Sequence, residues 1–252
     1  MKSLSVLLMA VPLLAGPPAG LKWIAHRGGV VDARYSENSP ASLEAAVEHG
    51  YWMIESDIRE TSDGKIITHH DPDFRRFYND PRRVSETPLA EVRKLRADPG
   101  GTPPMTIEEL VKACRGRLRI MLDVKDPDHS PAFYNELEKQ LASADLLKSA
   151  YVIGLESAHR HFKGKARVSV TYKTLREVGR LYFLFEWGKN LTPEMVRFAR
   201  QHKVPVVPSI NTFHYGGNLE ESLRLGSTDV KKLIPLGVTE FQIDSVYEPA
   251  FR

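Results

Sequence analysis

The chain has 252 residues, enough for one large domain or two small ones, and 42% hydrophobic with 27% charged residues is a globular mixture rather than a disordered or fibrous one. Lys and Arg number 35 against 32 Asp and Glu, and a net charge of +3 argues against nucleic acid as a partner. The single cysteine, Cys114, excludes an intramolecular disulfide and any cysteine-built zinc or iron–sulfur centre, so a buried core must hold the fold.

Met1 and Lys2 precede an apolar run from Leu4 to Ala15, followed by Gly16-Pro17-Pro18-Ala19-Gly20. One positive charge, a short hydrophobic stretch and small residues form the pattern of a secretory signal peptide over residues 1–20. The run falls short of the roughly 20 apolar residues needed to span a bilayer. The mature domain is expected to cover residues 21–252, and the protein to be exported, either periplasmic or secreted. No stable membrane span is expected, and the oligomeric state is not legible.

From there the pattern alternates between strand and helix. Leu21 to His26 reads as a strand, Asn38 to His49 as a helix stopped by Gly50, and Tyr51 to Ile58 as a second strand. Asp63-Gly64 marks a tight turn, so Lys65 to Thr68 completes a hairpin. Helices are predicted over Leu89 to Arg96 and over Ile107 to Cys114, the second opened by the capping box Thr106/Glu109 with Cys114 on its inner face. Leu118 to Val124 is the third main strand, and a helix runs from Ala132 to about Leu147. Strand-like runs recur at Tyr151 to Leu155, Ala166 to Thr171, Leu181 to Glu186, Val204 to Ile210 and Val238 to Ile243. A helix at Pro193 to His202, capped by Thr192, sits among them. Eight apolar strands alternating with helices predict an α/β fold, a single-domain TIM (β/α)8 barrel. A doubly wound sheet would need a Gly-rich fingerprint, and His26-Arg27-Gly28-Gly29 lacks its spacing. The segment between His70 and Leu118 leaves little or no room for an inserted domain.

Barrel enzymes gather their chemistry at the carboxyl ends of the strands. Strand one ends in His26-Arg27-Gly28, strand two in Glu55-Ser56-Asp57, the hairpin in His69-His70-Asp71 and strand three in Asp123-Val124-Lys125. Glu55 and Asp57 stand two apart and share a strand face, where carboxylates need a partner or a metal. Taken singly, His26 is more often a hydrogen-bonded core histidine and Lys125 a salt-bridge partner of Asp123. Their joint placement points to a site. His159 and His161 form an H-x-H, but beside Arg160 and Lys163 they read as a solvated helix or loop. Phe74, Phe77 and Tyr78 either line the pocket or pack their loop, and His214 and Tyr215 fall at the rim.

Ile24-Ala25-His26-Arg27-Gly28, Glu37-Asn38-Ser39, Glu55-Ser56-Asp57, and Asp63-Gly64 leading to His70-Asp71 together resemble the glycerophosphodiester phosphodiesterase family. That family is related to the phosphatidylinositol phospholipase C-like TIM-barrel phosphodiesterases. The likeness continues through Pro104 to Glu109 into Leu122-Asp123-Val124-Lys125, and is looser at Val206 to Asn211 and Gly237 to Asp244. It implies a TIM barrel that hydrolyses glycerophosphodiesters to glycerol 3-phosphate and an alcohol, acting on a small-molecule phosphodiester. His26 and His70 match the acid–base histidines, and Glu55, Asp57 and Asp123 the ligands of a divalent metal, Ca²⁺ or Mg²⁺. Arg27 and Lys125 match the basic residues around the phosphate, whereas His69 has no counterpart and reads as structural. The third carboxylate is usually Glu, so Asp123 is one methylene short, and Pro208 replaces a usual Trp in the pocket wall. Two rival readings keep the barrel. One is a phospholipase C- or D-like enzyme on lysophospholipid or phosphoinositide, which a hydrophobic lip would favour; the sequence has no strongly amphipathic basic segment to mark it. The other is a phosphodiester-binding protein without turnover.

Overall fold

The computed structural model describes residues 16–127, 129–175 and 181–252, so most of the expected signal peptide lies outside the described residues. No described helix is long and apolar enough to cross a membrane. In chain order the strands are β1 (Lys22–Ala25), β2 (Met53–Glu60), β3 (Ile66–Thr68), β4 (Asp73–Phe74), β5 (Asp80–Arg83) and β6 (Arg119–Val124). They continue as β7 (Tyr151–Ile153), β8 (Arg167–Val170), β9 (Tyr182–Trp187), β10 (Val206–Ile210) and β11 (Glu240–Ile243). Leaving aside β3, β4 and β5, the remaining eight pair in parallel in sequence order, and β11 closes on β1. The seam runs from Lys22 opposite Glu240 to Ala25 opposite Ile243. The result is the expected TIM barrel, and each of the eight predicted strands is one of its staves.

The apolar runs form strands here because both faces are covered. Ile24, Met53, Met121, Tyr151, Phe183 and Val207 point inward and fill the barrel. Their sequence neighbours, including Trp23, Ile54, Leu122, Val152, Leu184 and Val206, pack in the outer core with the helices. Alternation between two apolar environments makes the strands read as unbroken hydrophobic stretches. β3 pairs antiparallel with the end of β2, from Ile58 opposite Thr68 to Glu60 opposite Ile66, as the hairpin signal predicted. β4 and β5 form a second small hairpin, which the sequence reading did not anticipate.

The helices are α1 (Pro40–Glu48), α2 (Arg75–Tyr78), α3 (Leu89–Val92), α4 (Ile107–Cys114), α5 (Pro131–Ser143), α6 (Glu156–Phe162), α7 (Pro193–Gln201) and α8 (Leu219–Leu233). α4 has its capping box at Thr106 and Glu109 and buries Ile107, Leu110, Val111 and Cys114. α7 starts behind Thr192 with Pro193 in its first turn. Three predicted helices are shorter than expected, and one is α5, which ends at Ser143 rather than about Leu147. α1 begins at Pro40 behind the Ser39 cap, because Asn38 adopts φ 53° and sends its amide to the site. α3 ends at Val92, and the chain continues in tighter turns with Lys94 N donating to the Glu91 carbonyl and Leu95 N to that of Val92.

Candidate active site

The first strand delivers its polar residues through a strained turn. Arg27 has φ 53° and Gly28 φ 81°, and a Cβ on Gly28 would lie 2.6 Å from the Asn38 Cα. At Gly29 a Cβ would lie 2.0 Å from the Ser42 carbonyl oxygen, so only glycine lets this turn press against α1. The turn aims the Arg27 backbone N–H at Glu55 Oε2, 2.8 Å away.

Glu55, Asp57 and Asp123 come together at the carboxyl ends of β2 and β6, where Asp57 stands directly opposite Asp123 in the register. One carboxylate oxygen from each lies within 4.8 Å of the others. Glu55 and Asp57 are buried and Asp123 is half-buried. Burial first, then the charges of Asp57 and Asp123, push the Glu55 carboxyl well above the usual carboxylate range. Burial acts the same way on Asp57, but Lys125, His70 and the Asn38 amide outweigh it and hold that carboxyl below its usual range. Lys125 Nζ sits 2.9 Å from Asp57 and 2.6 Å from Asp123. Burial disfavours its charge, yet Asp57, Asp123 and Glu55 raise its pKa. One lysine facing three carboxylates leaves a negative, oxygen-only cluster, the donor set of a hard divalent cation. Lys125 thus touches the carboxylates themselves.

Each candidate histidine is oriented by a carboxylate. His26 Nδ1 donates to Asp244 Oδ1 at 2.6 Å, and its Nε2 accepts from the Asn211 amide at 3.2 Å. Asp244 is held in turn by the Thr212 backbone N–H at 2.7 Å and hydroxyl at 2.9 Å. Burial works against its charge, but the His26 hydrogen bond and charge together with the two Thr212 hydrogen bonds outweigh it and lower the pKa. His70 Nδ1 donates to Asp71 Oδ1 at 2.7 Å, leaving Nε2 facing Arg27 Nη2 at 3.3 Å. A carboxylate only accepts, so both rings carry their proton on Nδ1 and turn a basic Nε2 to the site. Arg59 fixes the His70 backbone with two hydrogen bonds to its carbonyl, at 3.0 and 2.7 Å.

Glu37 ties the guanidinium groups together, accepting from Arg27 Nη1 at 2.8 Å and from Arg76 Nη2 at 2.6 Å. Arg76 also bonds Asp71, and this pairing with that of His70 outweighs burial and lowers the Asp71 carboxyl to about 2. Arg27 Nε is buried with no hydrogen-bond partner. His26, Arg27, Glu37, Arg76 and Asp244 share a cavity of about 330 Å³.

All seven sequence-predicted site residues therefore meet at one end of the barrel. Asp244, Asn211, Asn38, Arg59 and Arg76 were missed. Asn211 and Asp244 carried a signal, since each is the polar residue that ends an apolar strand, as His26 is. His69 is structural, bonding the Asp73 carbonyl at 2.8 Å and packing on Phe74 and Tyr78, while Phe77 lines the cavity. The H-x-H lies on α6, half-buried rather than solvated, with His159 against the Ser169 hydroxyl and His161 against Glu138. His214 stacks on Trp187, and the Tyr215 hydroxyl donates to Asp229.

A sequence model of the glycerophosphoryl diester phosphodiesterase family matches residues 26–214. A curated Bacillus subtilis protein, named glycerophosphodiester phosphodiesterase, is 28% identical over 144 residues, 52% of this chain. The match spans 48% of that relative, about half its length. A crystal structure of glycerophosphodiester phosphodiesterase from Agrobacterium tumefaciens superposes with a TM-score of 0.72 at 17% identity, covering 91% of this chain and 99% of that one. An Oleispira antarctica phosphodiesterase, solved in complex with the product sn-glycerol-3-phosphate, gives 0.66 at 18% identity, covering 93% and 96%. At such identities the structural likenesses speak to the fold alone.

Proposed function

Because the chain belongs to the glycerophosphoryl diester phosphodiesterase family, we propose that it hydrolyses glycerophosphodiesters to glycerol 3-phosphate and an alcohol, using His26 and His70 as its acid–base pair. One observation carries the reading: two histidines, each turned by a carboxylate, flank Arg27 beside a cluster of three further carboxylates. A phosphodiester is anionic and a poor electrophile. Arg27 neutralises it, and its buried Nε is a donor that a phosphate oxygen would satisfy. Glu55, Asp57 and Asp123 are the residues that would hold Ca²⁺ or Mg²⁺, which fits their crowding and oxygen-only chemistry. When bound, such a cation supplies charge neutralisation at a phosphoryl oxygen.

The histidines move the protons. One Nε2 takes the proton of the attacking hydroxyl as its oxygen bonds to phosphorus. The other, protonated, gives its proton to the departing alkoxide as the second P–O bond breaks. The attacking group is the glycerol hydroxyl next to the phosphate, whose proximity is worth up to about 7–11 kcal/mol. The resulting cyclic phosphate is opened by water with the same pair in exchanged roles. Lys125 pairs with Asp57 and Asp123 and holds both in place. The signal-like residues 1–20 support a location outside the cytoplasm for this reaction.

The test is release of glycerol 3-phosphate from glycerophosphocholine and glycerophosphoethanolamine by the mature protein with Ca²⁺, Mg²⁺ or EDTA. Release with a cation, lost in EDTA and in both His26→Ala and His70→Ala, is expected. A folded protein releasing none with either cation overturns the reading.

A further inference from the structure

The cavity beside His26 has an apolar wall that the chemistry above does not use. Besides its polar residues, the cavity is lined by Phe213, Leu219 and Val246. Among the described residues six large apolar side chains are exposed, and three of them are these: Phe213 at 77%, Leu219 at 58% and Val246 at 43%. Single apolar residues on a surface need no explanation, but three converging on the mouth of one cavity do.

They are also placed by the site itself. Phe213 sits in the turn Thr212–His214 after β10, and Val246 in the turn that follows β11. Leu219 opens α8 behind its Asn218 cap. Thr212 holds Asp244, the partner of His26, and Ser245 donates to the Val31 carbonyl at 3.3 Å. Phe213 and Val246 therefore ride on turns next to Asp244, the carboxylate that orients His26, and Leu219 opens the helix that follows the first of them. Beyond Phe213 the surface continues through His214 to Trp187, which is 40% exposed and stacked on the His214 ring at 4.6 Å. Glycerol and small polar alcohols have nothing to place against such a wall.

We propose that Phe213, Leu219 and Val246 form an acyl-chain subsite, and that the preferred substrate is a lysophospholipid: a phosphodiester whose phosphate lies at His26 and Arg27 and whose single apolar chain lies over this wall. The inference rests on the phosphodiesterase reading and narrows its substrate. The chemistry selects one chain rather than two. A 1-acyl lysophospholipid keeps its 2-hydroxyl, which attacks phosphorus while the P–O bond to the headgroup breaks and the headgroup alcohol leaves with a proton from a histidine. Water then opens the cyclic phosphate to a 1-acylglycerol phosphate. A diacyl lipid has esterified that hydroxyl and lacks the nucleophile.

The test compares glycerophosphoglycerol with its 1-butanoyl, 1-hexanoyl and 1-octanoyl derivatives, kept monomeric, on wild type, Phe213→Ser/Leu219→Ser and Val246→Ser. Burying a methylene is worth about fourfold in affinity at most. In wild type kcat/KM is expected to rise about two- to fourfold per methylene. That slope should be flattened in the double variant and reduced in Val246→Ser, with glycerophosphoglycerol turnover within about twofold of wild type throughout. A flat chain-length dependence in wild type, with glycerophosphoglycerol still hydrolysed, overturns the subsite and leaves the phosphodiesterase reading standing. A slope that survives undiminished in the variants also overturns the subsite. Hydrolysis of no phosphodiester by the folded wild type, with either cation, overturns both.

Discussion

Replacing Asp244 by asparagine tests whether His26 owes its reactivity to a single proton position. Asp244 accepts from His26 Nδ1 at 2.6 Å through one oxygen and from the Thr212 backbone and hydroxyl through the other. The amide in Asp244→Asn keeps its carbonyl oxygen for Thr212 and turns its NH₂ toward Nδ1, which must then accept. The ring proton moves to Nε2, the atom that faces the site, and His26 can no longer take up a proton there. Positioned acid–base catalysis contributes about 10²–10⁴-fold, so kcat should fall by that factor, equivalent to about 3–5 kcal/mol of barrier. The Thr212 bonds survive, so stability should drop by no more than about 1–3 kcal/mol. Initial rates of glycerol 3-phosphate release, beside thermal melts of both proteins, make the comparison. An Asp244→Asn protein with kcat within threefold of wild type would refute the tautomer argument.

Three other outcomes are expected. Gly29→Ala, which sets a methyl against the Ser42 carbonyl, should cost at least about 2 kcal/mol in urea denaturation; an unchanged midpoint would show that the turn can move away from α1. Cys114 is fully buried and its thiol is pushed up to about 12, first by burial, so the native protein should resist thiol reagents at mildly alkaline pH and react only on unfolding; rapid native labelling would contradict the packing of α4. Asp71 has a folded-state pKa depressed to about 2 against roughly 4 when unfolded, so its stabilising contribution is present above the higher value and is lost as pH falls toward the lower one. Melts of wild type and Asp71→Asn should converge over that acid range, and a gap that persists at its bottom would mean that the Arg76 and His70 contacts are not the cause.

The barrel was legible because its strands are buried on both faces, which leaves runs such as Tyr51 to Ile58 with few polar interruptions, and those interruptions are the site. Glu55, Asp57, His70, Asp123 and Lys125 announced themselves as polar groups ending apolar strands. What stayed hidden was set by contacts far apart in sequence or by local backbone exceptions. The pairing of Asp244 with His26 joins residues 218 positions apart, and no local pattern encodes it. Asn38 looked like the first residue of a helix. It instead takes a left-handed conformation, and its amide bonds Asp57, 19 positions away, at 3.0 Å. The arc of Phe213, Leu219 and Val246 is assembled from the turn after β10, the first residue of α8 and the turn after β11, so it has no periodicity to read. In the sequence Phe213 is only an aromatic residue beside a histidine.

The clasp between His26 and Asp244 spans the barrel's seam, where β1 meets β11. In a chain made from its N-terminus, His26, Arg27, the three clustered carboxylates, His70 and Lys125 all exist before Asp244 has been added. The nascent protein therefore carries most of the site's groups while it has no oriented His26, and on the proposed mechanism it is inactive until the last stave pairs with the first. On the proposed mechanism, a lesion that unseats only β11 should abolish turnover while most of the barrel is still paired. Turnover thus reports on whether synthesis and folding have run to completion.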